Sequence, residues 1–253
     1  MSQPAQNPPE SSALAKVSAA VTEALFLALA FFGGLMVITL LILIGVLPDV
    51  KVAPWSGILA GPILMASAAG SYYALERLRA KQGEDHTADP LVPREDRKGG
   101  LASALLVPLF VLAALVGSAT LGWLQEAIFG AKVAEQEVIV ALVERGDVFE
   151  LAFLASVAVI LAPLTEELLF RHMFFRRLRH SAGAQLAWVL PAVAFAVSHW
   201  NPIGLAIYTW LGLVFAFAYL YTGRFWVAVA VHAGHNALAL AMLVWFPQEL
   251  ASG

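Results

Sequence analysis

The sequence has 253 residues, of which 60% are hydrophobic and 13% are charged, with a formal net charge of −3 and no cysteine. The charged share is about half that of an ordinary soluble domain, which excludes a disordered chain and a basic nucleic-acid-binding protein. Without cysteine, the chain has no disulfide, no cysteine-ligated metal site and no thiol nucleophile. A soluble domain of this length could not cover so much apolar surface. The composition therefore predicts an all-α polytopic membrane protein.

Apolar stretches predict about seven transmembrane helices, because about 20 apolar residues suffice to cross a bilayer. Residues 1–21 are polar and Pro-rich, and they predict a disordered tail. We expect 22–132 to form a three-helix membrane scaffold and 133–147 an amphipathic segment at the membrane interface. Residues 148–247 are expected to carry the chemistry. The seven stretches cover 24–47, 55–75, 99–124, 149–165, 181–198, 202–221 and 225–246.

The distribution of positive charge predicts the orientation, because Lys and Arg concentrate on the cytoplasmic side of membrane proteins. In the seven-helix arrangement, 12 of the 15 lysines and arginines fall on the side of the 76–98 loop and the 171–180 turn. Lys51, Lys132 and Arg145 fall on the other side. We therefore expect a cytoplasmic amino terminus and an external carboxyl terminus. The small size of the protein favours a bacterial inner membrane.

Two adjacent glutamates interrupt the fourth apolar stretch, in the sequence TEELLFR at 165–171. An ionisable side chain in the hydrocarbon region costs at least about 2.5–3.5 kcal/mol, so it is a functional candidate. Glu167 and Arg171 are four residues apart on a helix and can form an ion pair. On the same helix the Glu166 side chain points about 100° away from that of Glu167, so it cannot pair equally well with Arg171. Glu166 is therefore suited to act as a general base. The alternative is a helix end that exposes both glutamates at the interface.

Histidines and an asparagine lie in the later stretches. Phe195 and His199 are four residues apart on one helix face, as are His232 and Asn236, and His235 is an additional histidine. Glu, His and Asn together can activate a water molecule and stabilise an oxyanion. Glu with two His is also a common catalytic zinc set. Taken alone, His199 is better explained as a packing residue, and His232 with Asn236 is better explained by hydrogen bonding between helices.

The helices can bring these groups to one level. If the turn after the fourth helix lies near Ser181, Glu167 precedes it by 14 residues and His199 follows it by 18, a difference of about 6 Å. His232 lies nearer the cytoplasmic face. The groups meet if this hairpin projects into the cytosol and 200–202 (Trp-Asn-Pro) breaks a helix, which is tolerated where the break lines a cavity. We therefore expect a cytoplasm-facing cavity formed by the carboxyl-terminal helices.

The three motifs together resemble those of the CAAX protease and bacteriocin-processing (CPBP, or Abi) family. EELLFR at 166–171 matches the signature EExxxR, Phe195 to His199 matches FxxxH, and His232 to Asn236 matches HxxxN. The family includes the type II CAAX prenyl endopeptidases, so the resemblance implies an intramembrane endopeptidase. It covers about residues 150–245.

The resemblance also implies roles for the site residues. Glu166 would activate the attacking water, with His199 assisting as a base or an orienting group. His232 and Asn236 would stabilise the oxyanion, and the Glu167–Arg171 pair would support the site. The implied partners are membrane lipid and a membrane-bound protein or peptide substrate, prenylated or not. The sequence does not indicate an oligomeric state.

The cofactor and the function class stay open at this stage. The family resemblance is compatible with no cofactor or with one divalent metal such as zinc, whose ligands would be Glu166, His199 and His232. One alternative function is a proton-coupled transporter that uses the same groups as a relay. Another is a non-proteolytic membrane scaffold or immunity protein.

Overall fold

The computed structural model describes residues 13–50, 52–80, 99–130 and 137–246. Within these ranges every regular element is a helix and there is no β-strand, which confirms the predicted all-α fold. The helices are α1 (Ala13–Leu43), α2 (Pro54–Ala80), α3 (Gly100–Phe129), α4 (Glu137–Arg145), α5 (Val148–Ser181), α6 (Ala184–Ser198), α7 (Leu205–Thr222) and α8 (Phe225–Trp245).

Six of these helices, namely α1, α2, α3, α5, α7 and α8, are long and apolar enough to cross a membrane. Large apolar side chains face outward on them, as Leu25, Leu29 and Phe32 do on α1, which is typical of lipid contact. The remaining apolar helix, α6, has 15 residues and spans about 22 Å, less than the ~30 Å hydrocarbon core. The seventh transmembrane crossing therefore stays a prediction.

Local sequence explains where several helices begin and end. The Asp147 side chain accepts hydrogen bonds from the backbone N–H groups of Phe149 and Glu150, so it caps the first turn of α5. Gly130 after α3 and Gly223 after α7 adopt left-handed backbone conformations, with φ of 64° and 65°. Glycine pays no steric penalty there, so both helices can end in this way.

A buried ionic cluster joins three helices at one end of the bundle. Glu23 of α1 is 2% exposed and accepts hydrogen bonds from Arg79 of α2 at 3.1 Å and from Arg177 of α5 at 3.2 Å. The Tyr72 hydroxyl donates a third, at 3.2 Å. A buried carboxylate requires such partners, because desolvation without them is costly. We call this end of the bundle, defined by Glu23, Arg79 and Arg177, the arginine-rich end.

Contacts farther along the helices give the direction of the chain. Gly34 packs against Leu64 of α2, so α1 runs away from the arginine-rich end and α2 returns to it. α5 also returns there, at Arg177, and therefore starts with Val148 at the other end of the bundle. We call this other end, where α1 ends and α2 and α5 begin, the opposite end.

Two predicted boundaries in the amino-terminal half change. Helix α1 begins at Ala13, so residues 13–21 are helical and their assignment to the disordered tail was wrong. The segment Ala-Leu-Ala-Lys at 13–16 consists of strong helix formers, which continue the first membrane helix outward. Residues 1–12 lie outside the described residues. Helix α4 occupies most of the predicted amphipathic segment, although 133–136 are not described.

Close packing between α3 and α7 depends on a glycine. A Cβ atom at Gly117 would overlap the indole of Trp210, whose Nε1 donates a hydrogen bond to the Ala113 carbonyl at 3.2 Å. At Gly122, five residues farther along the same helix, the nearest atom, Ile207 Cδ1, would be 3.7 Å away, an ordinary contact. The two glycines therefore form a matched pair.

We predict that Gly117→Ala lowers the free energy of unfolding by about 1–3 kcal/mol, the usual cost of overpacking, whereas Gly122→Ala changes it little. Thermal unfolding of the purified variants in detergent measures both. Equal stability of the two variants would contradict the packing described for Trp210.

Candidate active site

The two central glutamates lie in an irregular part of α5. π-Helical segments, Val157–Leu161 and Leu168–Phe175, flank the α-helical turn that carries Glu166 and Glu167. Such wide turns are rare in proteins as a whole, but those that occur are often found at functional sites. There they change the direction of side chains. The pattern of apolar residues alone did not predict them.

Glu167 and Arg171 form the predicted ion pair. Arg171 Nε lies 3.1 Å from Glu167 Oε2, and both side chains are fully buried. Arg171 Nη2 donates a hydrogen bond to the Gly212 carbonyl at 3.1 Å, and its guanidinium carbon lies 4.8 Å from the centre of the Phe195 ring. The cation therefore has partners on α5, α6 and α7, and the predicted ion pair is confirmed.

His232 of α8 completes a chain of charged and polar groups. Its Nδ1 donates a hydrogen bond to Glu167 Oε1 at 3.0 Å, and its ring stacks on Phe215 with 4.4 Å between centres. His232 Nε2 lies 3.8 Å from Glu166 Oε2. Because Nδ1 carries the proton, the neutral ring presents Nε2 as an acceptor toward Glu166.

Glu166 is in a different environment from its neighbour. Its side chain is 13% exposed, and its Oε2 is buried without a hydrogen-bond partner in the part of the chain that the structure describes. Buried carboxylate oxygens normally have partners, so an unsatisfied one indicates a place for a water molecule or a ligand. Glu166 lines a cavity of about 470 Å³ together with His199 and Asn236.

His199 lies where α6 ends. Its Nδ1 donates a hydrogen bond to the Phe195 carbonyl at 2.8 Å, and its ring stacks on Tyr208 of α7 with 4.2 Å between centres. Trp200 follows with φ of 53°, an uncommon conformation for a residue other than glycine. Asn201 then accepts a hydrogen bond from the Gly204 N–H, so the predicted helix break at 200–202 is confirmed. Its depth in a membrane stays a prediction.

Asn236 is held between two helices. Its Nδ2 donates to the Ala158 carbonyl of α5 at 2.9 Å, and its Oδ1 lies 3.3 Å from Nδ1 of His235. The amide group has two N–H donors, so one is left for a group in the cavity. His235 is thus explained as a neighbour that orients Asn236.

The cavity differs from the one expected from the sequence. We expected it to be formed by the carboxyl-terminal helices and to face the cytoplasm. Its walls also include Leu35 of α1, Gly57–Met65 of α2 and Ile139 of α4, and these residues lie toward the opposite end. Leu178 and Ala182, near the turn between α5 and α6, are buried in the core, and the projection of this hairpin into the cytosol stays a prediction.

The residues do not fit a zinc centre. Among the described residues, no group of three or more His, Asp or Glu side chains could hold a metal ion. The proposed ligand set Glu166, His199 and His232 is therefore not supported.

Sequence reasoning missed the residues that support the site from other helices. Phe215 and Tyr208 stack on the two histidines but appear in the sequence as ordinary members of an apolar stretch. Glu23 directly precedes the first apolar stretch and was placed outside it, although it is buried. The position of this glutamate so close to a predicted helix was the feature of the sequence that could have indicated its burial.

Comparisons with known proteins agree with this site. Residues 148–238 match the family model described as type II CAAX prenyl endopeptidase Rce1-like. The chain is 28% identical over 156 residues to "Putative membrane peptidase YdiL" of Bacillus subtilis (strain 168). That match covers 60% of this chain and 63% of the relative, so the chain spans less than two thirds of the relative's length. No solved structure matches significantly.

The fold and the site thus define an all-α membrane protein with a buried Glu–His centre. The residues matched by the family model include every residue of that centre. Through them this part of the chain is similar to the type II CAAX prenyl endopeptidases.

We predict that Glu167→Gln destabilises the fold strongly, because it leaves the fully buried Arg171 without its counter-ion. Breaking one partner of a buried pair costs about 3–5 kcal/mol. Glu150→Gln is the matched control: Glu150 also lies on α5 and pairs with Arg145 at 3.0 Å, but Arg145 is 51% exposed, and exposed pairs contribute at most about 1 kcal/mol. Chemical or thermal unfolding in detergent distinguishes the two, and a Glu167→Gln protein as stable as Glu150→Gln would contradict the buried pair.

Proposed function

We propose that the protein is an intramembrane endopeptidase in which Glu166 activates water to hydrolyse a peptide bond. The observation that carries this proposal is the buried, unsatisfied Oε2 of Glu166 beside a cavity that His199 and Asn236 also line. The match of residues 148–238 to a family model of endopeptidases and the name of the B. subtilis relative support it.

In this mechanism Glu166 takes a proton from a water molecule while the water oxygen attacks the carbonyl carbon of the substrate. The carbon–nitrogen bond then breaks, and the proton passes from Glu166 to the leaving nitrogen. Glu167 stays ionised beside Arg171 and fixes the orientation of His232. His232 Nε2, 3.8 Å from Glu166 Oε2, stabilises the charge on Glu166 when the ring is protonated.

The remaining polar groups act on the substrate. The free N–H of Asn236 donates a hydrogen bond to the developing oxyanion, which is the kind of fixed donor that stabilises such a charge. His199 holds its own Nδ1 proton against the Phe195 carbonyl, so its Nε2 accepts a hydrogen bond from the attacking water. It thereby orients the water rather than replacing Glu166 as the base.

The walls of the cavity support a membrane-associated substrate. Apart from the polar groups at its base, the cavity is lined mainly by aliphatic residues such as Ile38, Ile58, Met65 and Leu154. An apolar wall excludes water other than the reacting molecule and strengthens the interactions of the buried charges. We therefore propose a substrate with apolar residues next to the cleaved bond.

We predict that Glu166→Gln lowers proteolysis at least about 100-fold, the usual contribution of a general base, without unfolding the protein. Comparison of new protein termini in membranes of cells that express the wild type or this variant measures the loss. Glu150→Gln, on the exposed part of α5, is the control and should keep wild-type activity.

The same comparison distinguishes the alternatives. Cleavage products that persist at wild-type levels in Glu166→Gln would contradict the proposed role. A non-proteolytic scaffold predicts identical termini in all strains. A proton-coupled transporter predicts proton flux in liposomes that Glu166→Gln abolishes.

A further inference from the structure

The wall that helix α2 contributes to the catalytic cavity is centred on a glycine. The residues of α2 that line the cavity lie between Gly57 and Met65. Because successive helical residues are about 100° apart around the axis, these residues cover an arc of about 200°, with Ala60 and Pro62 at its two edges. Gly61 lies at the middle of this arc, so a side chain at position 61 would point into the cavity.

The space in front of Gly61 is open. Among the described residues, no atom lies within 4 Å of the position that a Cβ atom would take at Gly61. Gly34 of α1 is different, because a Cβ atom there would lie 2.8 Å from the Leu64 carbonyl oxygen. Close packing of α1 on α2 therefore requires a glycine at position 34, whereas no packing contact requires one at position 61. The missing side chain at Gly61 instead enlarges the cavity.

This open space belongs to the cavity that contains the proposed base. Helix α2 packs against the turn Ala162–Glu167 of α5, which carries Glu166, and Glu166 and Gly61 line the same cavity. The walls beside them are aliphatic, with Ile38 from α1 and Leu154 from α5. Apolar surroundings favour the entry of an apolar group. A substrate side chain that occupies this space would therefore be apolar.

We propose that Gly61 forms the floor of a subsite that takes a large apolar side chain of the substrate, next to the cleaved bond. The size of the residue at position 61 limits the size of the substrate residue, because the two compete for the same space, and a steric clash rejects a substrate. This inference rests on the proposed function and narrows its substrates to segments with a large apolar residue at the cleaved bond.

Three substitutions fill the subsite in steps, namely Gly61→Ala, Gly61→Val and Gly61→Leu. We expect them to fold, because the space is open and glycine is unfavourable in the middle of a helix. Gly70→Leu is the matched control. Gly70 lies on α2 about 2.5 turns farther along, and hence on the opposite face of the helix, and a Cβ atom there would also meet no atom within 4 Å.

New protein termini are compared in membranes of cells that express the wild type, Glu166→Gln or one of these variants. Among the termini that depend on Glu166, those with leucine, isoleucine, methionine or phenylalanine at the cleaved bond should fall at least about 10-fold in Gly61→Leu, the usual scale of discrimination by fit in an apolar pocket. They should fall less in Gly61→Ala. Termini with glycine, alanine or serine there should persist, and Gly70→Leu should match the wild type.

The other outcomes separate the subsite from the proposed function. An unchanged distribution of residues at the cleaved bonds in Gly61→Leu would overturn the subsite, and so would an equal loss of all termini, because a subsite selects by size. The same change in Gly70→Leu would overturn it as well. Identical termini in the wild type and Glu166→Gln would refute the proposed function and with it the subsite.

The position of Gly61 in the cavity has a readout that needs no activity. Ala162 lines the same cavity and is replaced by cysteine in the full chain, which has no other cysteine. In the protein purified in detergent, Gly61→Leu should slow the reaction of this cysteine with a bulky maleimide, and Gly70→Leu should leave the rate unchanged. A rate that Gly61→Leu does not change would overturn the proposal, whatever the termini show.

Discussion

The site depends on one buried chain of charge, from Arg171 through Glu167 to His232. A charged group within the bilayer is tolerated only when it is paired, and each member here forms an ion pair or a hydrogen bond with the next. Arg171 Nε lies 3.1 Å from Glu167 Oε2, and the other oxygen of this carboxylate accepts a hydrogen bond from His232 at 3.0 Å. The three residues belong to α5 and α8, so the chain also fixes how these two helices pack around the cavity.

This arrangement gives two adjacent glutamates opposite properties. Glu167 is fully buried and has both oxygens occupied by cationic or donating partners, so it is structural. Glu166 faces the cavity and keeps a buried oxygen without a hydrogen bond, so it is available to a water molecule. Pairs of carboxylates whose environments differ in this way commonly divide the work of acid–base catalysis between them. A single turn of helix thus carries both the buried, paired Glu167 and the glutamate that we propose as the base.

The sequence predicted those parts of the site that depend on helix geometry. The spacing of Glu167 and Arg171 allowed an ion pair, and the Trp-Asn-Pro segment at 200–202 was expected to break a helix after His199. It could not predict the partner of His232, because contacts between helices far apart in sequence depend on packing that residue spacing does not encode. For the same reason the contribution of α1, α2 and α4 to the cavity was missed. The cytoplasmic opening of the cavity stays a prediction.

A structure of Glu166→Gln bound to an uncleaved peptide substrate tests the central claim most directly. The account predicts that the carbonyl carbon of the cleavable bond lies about 3–3.5 Å from a water molecule that is hydrogen-bonded to the side chain at position 166. It also predicts that Glu167 remains bound to Arg171 and His232. A peptide held against Glu167 instead, or bound outside the cavity lined by His199 and Asn236, would contradict it.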